Sequence, residues 1–215
     1  MEQQDIDIIN KEVKKQTFKN YIIENKKKII FLFGFGLLVV ILFYSYNSFK
    51  NETKKKIAIK YNSAIIKFES GDNSEVLNVM EEIILKKDKT YSPLALYFII
   101  DNNLITTNEK INNYFDMIIN DLNLDKNLKY LNVLKKAYYN SDYVDEQELL
   151  NLINPLIKDE TPWTSHGQFL LGEYYLSKGE INKAINLFNK ILENQNSNKQ
   201  LKLEAQKRIQ REIRD

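Results

Sequence analysis

The chain has 215 residues, with 31 Lys and Arg against 29 Asp and Glu, a formal net charge of +2. So even a balance excludes the dense positive face that nucleic-acid binding needs. With no cysteine and one histidine, His166, the composition also excludes disulfides, thiolate nucleophiles and zinc sites built from His and Cys.

From the amino terminus, residues 1–28 read as a basic tail. An unbroken apolar run of 21 residues without a charge follows, from Ile29 to Phe49. As a helix rising about 1.5 Å per residue, it matches the roughly 30 Å hydrocarbon core of a bilayer. A cleaved signal would be shorter and would end on small residues. Here Tyr44, Tyr46 and Phe49 occupy the exit, so the run is expected to be an uncleaved transmembrane anchor in the lipid bilayer. Six lysines in residues 14–28 face five in residues 50–64. The tight triplet Lys26, Lys27 and Lys28 favours a cytoplasmic amino terminus by the positive-inside rule. Gly34 and Gly36 lie within the run, so they read as packing or neutral positions and not as a phosphate loop.

Residues 50–215 carry 24 basic and 24 acidic side chains and are expected to form one soluble domain. Apolar residues recur at three- and four-residue spacing, the signature of amphipathic helices. Ile57, Tyr61, Ala64, Ile65 and Phe68 form one stripe that stops at Gly71-Asp72. Val76, Leu77, Met80, Ile83 and Ile84 form the next. A turn at Lys87 to Ser92 precedes a helix from Pro93 to about Asn103. Thr107 is the expected N-cap of a helix to about Asp121. Leu128 to Tyr139 and Asp145 to Ile157 give two more, with Pro155 expected to end or kink the second. Acidic pairs Asp142/Asp145 and Asp159/Glu160 flank helix starts, where a carboxylate meets the positive end of the dipole. No segment alternates as a strand would. The fold class is therefore all-α, in helix–turn–helix units with a period in the mid-thirties or somewhat less.

The segment FLLGEYYLSKGEINKAINLFNKI makes the repeat explicit. Its Leu171, Gly172, Tyr175, Gly179, Ala184 and Phe188 resemble the pattern of a tetratricopeptide repeat spanning about Ser165 to Asn198. Gly172 and Ala184 are small where two antiparallel helices cross closely; Leu171, Tyr175 and Phe188 fill the space between them. Gly179 supplies a left-handed turn. The sequence departs from the repeat at Asn196, where a proline is usual, and at Gln168, where an aromatic is usual. Lys199 to Arg214 would close the solenoid. In that register His166, Phe169, Glu173 and Leu176 face the groove lined by the first helix of each repeat. The chain's own closing helix is the competing occupant of that groove. Tyr130, Tyr138, Tyr139 and Tyr143 suit either interhelix packing or a binding face.

A basic tail, one anchor and a degenerate tetratricopeptide solenoid are similar to the YfgM-like proteins of Gram-negative bacteria. The more specific shared pieces are Tyr91-Ser92-Pro93-Leu94-Ala95, Pro162-Trp163, the Leu171-to-Phe188 set and an Arg-rich closing helix. The resemblance implies an inner-membrane protein with its domain in the periplasm. It also implies an accessory role at the SecYEG translocon, beside a PpiD-like membrane-anchored chaperone. No catalytic, cofactor-binding or metal-binding residue is expected. A scaffold in another envelope complex, for cytochrome maturation or cell-wall assembly, stays open as an alternative.

Overall fold

The computed structural model of the protein describes the backbone of residues 14–214 apart from 18, 21, 22, 24, 106, 159 and 160. The side chains of residues 29, 30, 32, 33, 47, 213 and 214 also lie outside the described set. Most of the expected tail and the pair Asp159/Glu160 therefore fall outside the described residues.

The described residues form nine helices of ten or more residues and no strand. They are α1 (Lys26–Glu69), α2 (Val76–Leu85), α3 (Tyr91–Asp101), α4 (Asn108–Asp121), α5 (Lys126–Asn140), α6 (Glu146–Lys158), α7 (Thr164–Ser177), α8 (Ile181–Glu193) and α9 (Lys199–Arg214). The chain divides into two compact units, Met1–Lys56 and Ile57–Asp215.

In the first unit, the apolar run is helical throughout as the early part of α1. Its described apolar side chains from Phe31 to Phe43 are 48 to 75% exposed. Counted over described residues alone, no helix is long and apolar enough to cross a membrane. Four apolar side chains at the start of the run, Ile29, Ile30, Leu32 and Phe33, are outside that count.

The second unit is an all-helical array of pairs. The expected stop after α1 is present, with Gly71 at φ +87°. In α3, the helix begins two residues before Pro93, which sits in the first turn where a missing N–H costs no helical bond. Thr107 has the extended backbone of an N-cap, but its hydroxyl makes no capping bond. Asp125 and Asp145 do cap: each carboxylate accepts from a backbone N–H three residues on, Leu128 at 3.0 Å and Glu148 at 2.8 Å. Pro155 lies inside α6, which continues to Lys158.

The first helices of successive pairs neighbour one another. The Tyr61 and Tyr91 rings lie 5.6 Å apart and the Phe68 and Phe98 rings 5.2 Å apart, joining α1 to α3. Farther along, the period is 35 residues. The Tyr97 hydroxyl donates to Asn132 Oδ1 at 2.7 Å, joining α3 to α5, and Arg208 Nε donates to Glu173 Oε1 at 2.6 Å, joining α9 to α7. Tyr138 of α5 is pushed up by burial first and then by the carboxylate of Glu173, also 35 residues away, on α7.

The apolar interior is not continuous. One cluster runs from Ile57 to Leu122 through Met80, Leu96 and Phe115. A second runs from Ala137 to Ala205 through Leu149, Leu171 and Phe188. Tyr130, Leu134 and Leu156 make a small third. At the α4–α5 boundary the first cluster extends only through the partly buried Tyr139, packed on Phe115, and polar contacts do the rest of the bridging. Asn112 and Asn140 exchange amide hydrogen bonds at 2.9 and 2.8 Å. Lys136 meets Asp116 at 2.7 Å, and the Tyr139 hydroxyl donates to Asn108 Oδ1 at 2.8 Å.

Candidate functional site

The α7–α8 hairpin holds the residues expected to pack the last repeat. Leu171, Gly172, Tyr175, Ala184 and Phe188 are all buried, and Gly179 turns the chain at φ +74°. A Cβ on Gly172 would lie 2.5 Å from Phe188 Cε1, so the close crossing is real and leaves no room for a side chain. The Tyr175 hydroxyl reaches across to α6 and donates to Glu146 Oε1 at 2.7 Å. Burial, then the bond to Glu146, pushes this phenol up to about 12. Glu146 is held below its usual value by the Tyr175 hydrogen bond first and Lys183 second. Lys183 is raised by its bonds to Glu180 and Glu146.

The four residues expected to line a groove do share one side of α7, and each is half-buried. They are not equally free. The Phe169 ring lies 5.4 Å from Phe188, so it also packs the repeat. Glu173 is tied to Arg208 of the closing helix. Leu176 lies against the same core as Leu201 and Ile209 of α9. The His166 ring sits 5.5 Å from Trp163; its Nδ1 is buried without a partner, and burial lowers its pKa. The closing helix thus shares the face with these residues, which the sequence reading held as the competing occupant of the groove.

The tyrosines divide. Tyr130 is buried in the small third cluster. Tyr139 packs between Phe115 and Tyr143 at centroid distances of 6.1 and 6.0 Å. Tyr143 is exposed. Tyr138, 43% exposed, opens onto a cleft between α3 and α5 lined by Tyr97, Asp101, Phe115, Lys135 and Tyr139. Sequence reading had missed Tyr97, Asp101 and Lys135 as surface partners. The signal available was partial: Tyr97 stands 35 residues before Asn132, the residue it bonds on the neighbouring first helix.

No family model, curated protein or solved structure matches the chain. Its function is therefore argued from this geometry. Among the described residues no group of three His, Asp or Glu side chains could hold a metal ion. The polar networks found are interhelix pins: Tyr97–Asn132, Asn112–Asn140, Tyr175–Glu146 and Arg208–Glu173.

Proposed function

We propose that this chain is a non-enzymatic interaction module, tethered to the inner membrane by residues 29–49, with its amino terminus in the cytoplasm and its helical-repeat domain in the periplasm. It holds a protein partner against the layer of first helices, as an accessory of the SecYEG translocon beside a PpiD-like membrane-anchored chaperone. The observation that carries the interaction reading is that layer. Successive first helices pack side by side, and a cleft lies between α3 and α5. Repeat arrays of this kind use an extended surface for binding and need no reactive group.

The tether is supported by a charge-free run that is helical along its whole length and whose described apolar side chains point outward. An exposed apolar surface of that extent needs a cover, and lipid supplies one along every side of a helix. The translocon and chaperone partners rest on the family resemblance alone.

Affinity purification from membranes in mild detergent tests the reading. SecYEG and a membrane-anchored isomerase should be recovered with the chain. Recovery of a cell-wall synthase or haem-lyase complex in their place would refute the translocon assignment. An alkaline phosphatase fused after Asp215 should be active, because that enzyme requires an oxidising compartment. Activity of a cytoplasmic reporter alone at that position would refute the orientation.

A further inference from the structure

The cleft between α3 and α5 combines features that sit badly with a merely structural role. Asp101 closes the last turn of α3, where no basic side chain accompanies it. A helix carboxyl end is already electronegative, so a carboxylate there is unfavourably placed. On the opposite wall, Lys135 is exposed and lies over the Tyr97 ring, 5.3 Å from its centroid. Both charges line one cleft, yet no ion pair joins them among the described residues. Between them stand aromatic side chains, Tyr97, Phe115, Tyr138 and Tyr139. Tyr97 is fixed by its bond to Asn132, and Tyr139 by its bond to Asn108, so the walls are preset. Farther along the same layer, by contrast, Glu173 is paired with Arg208.

We infer that this cleft takes an extended peptide segment of the partner protein that presents one aromatic side chain with an acidic residue two positions to one side and a basic residue two positions to the other. The aromatic enters between Tyr97 and Tyr138, the acid meets Lys135 and the base meets Asp101. This deepens the proposed function and rests on its reading of the first-helix layer as the partner face. Charge complementarity is the argument for the occupant. Residues 50–215 are electrically balanced, so net charge cannot select a partner, and selection falls to local unpaired charges of opposite sign. An extended chain suits the site because it sets side chains two residues apart on one face, so an aromatic can enter between the walls while its charged neighbours reach Asp101 on α3 and Lys135 on α5.

The test uses the full chain in lipid nanodiscs and fluorescence anisotropy with two labelled heptapeptides, Gly-Glu-Ser-Phe-Ser-Arg-Gly and its charge-exchanged form Gly-Arg-Ser-Phe-Ser-Glu-Gly, whose charges share the aromatic's face. One order should bind at least about tenfold more tightly than the same peptide with alanine for phenylalanine, as loss of an aromatic anchor implies. Asp101→Asn and Lys135→Gln should each weaken that peptide about threefold to tenfold, with melting unchanged. The paired exchange Asp101→Lys with Lys135→Glu should invert the preferred order, since specificity is a difference between affinities. The inference is overturned if neither order exceeds the alanine peptide, if the charge variants bind as the parent does, or if free phenylalanine competes as well as the heptapeptide. Its failure is separable from that of the proposed function. Loss of the peptide result with translocon recovery intact removes only the cleft. Peptide binding without translocon recovery removes only the partner's identity.

Discussion

Gly172→Ala is the smallest change that tests the last repeat. The added methyl would lie 2.5 Å from Phe188 Cε1 and 2.7 Å from its Cζ. Carbon pairs prefer about 3.5–4.0 Å, so one of the two helices must yield by about 1 Å. Phe188 is fully buried, and its ring also lies against Phe169, so it has no free space to turn into. Overpacking of this kind costs about 1–3 kcal/mol. Replacing a mid-helix glycine by alanine returns about 1 kcal/mol of helix propensity. The net expectation is a loss of up to about 2 kcal/mol, or about 4–8 °C in melting temperature for a unit of this size. Circular dichroism at 222 nm on parent and variant in the same detergent measures it. A double-mutant cycle with Phe188→Leu then isolates the contact. The smaller side chain should accept the methyl, so the double variant should be more stable than the two single losses predict by about 0.5–3 kcal/mol. Because the propensity gain can offset the low end of the overpacking cost, the cycle decides: strict additivity, or a Gly172→Ala variant that melts higher than the parent, would refute the argument that ring and glycine occupy one space.

Phe169→Ala should lower partner recovery and melting temperature together, because the half-buried ring packs on Phe188; recovery falling alone would show that Phe169 serves the partner only. Arg208→Gln should change stability by less than about 1 kcal/mol, since the pair with Glu173 remains partly solvated; a larger loss in chemical denaturation would mean that α9 is held chiefly by this bridge. For Glu146, the folded pKa is depressed, so its contribution to stability is present above the ordinary carboxylate value and is lost as pH falls through the folded value. Glu146→Gln should therefore melt lower than the parent near neutral pH and coincide with it in strong acid. A difference that persists in acid would assign the effect to packing.

The α7–α8 hairpin was legible because its constraints are local. Gly172 and Ala184 mark a close crossing and Gly179 a left-handed turn, and each is a property of one residue type at one position. The upstream helices were legible from apolar spacing, which fixes their faces without fixing their partners. Thr107 shows the limit of a local rule: the backbone cap formed, while the hydroxyl bond did not. What remained hidden depends on contacts a repeat apart. Arg208 reaches Glu173, and Lys135 lies over Tyr97, only once the closing helix and α5 are set in place. Polar residues at such positions look like ordinary solvated surface. The reading of Phe169 as purely groove-facing missed its contact with Phe188 because one aromatic ring is wide enough to touch two sides of a helix.

The break in the apolar interior at the α4–α5 boundary has a consequence for turnover. In repeat arrays, cooperativity passes only through the interfaces between neighbours. An interface held by the Phe115–Tyr139 contact, the Asn112–Asn140 exchange and Lys136–Asp116 transmits less of it than a broad buried apolar one. Residues 57–122 and 137–209 should therefore lose amide protection as two blocks with different free energies. The weaker block, once open, exposes the connection between Leu122 and Asp125 to proteases while the other stays folded, so degradation would begin in the middle of the domain and leave the more stable half as its first folded product.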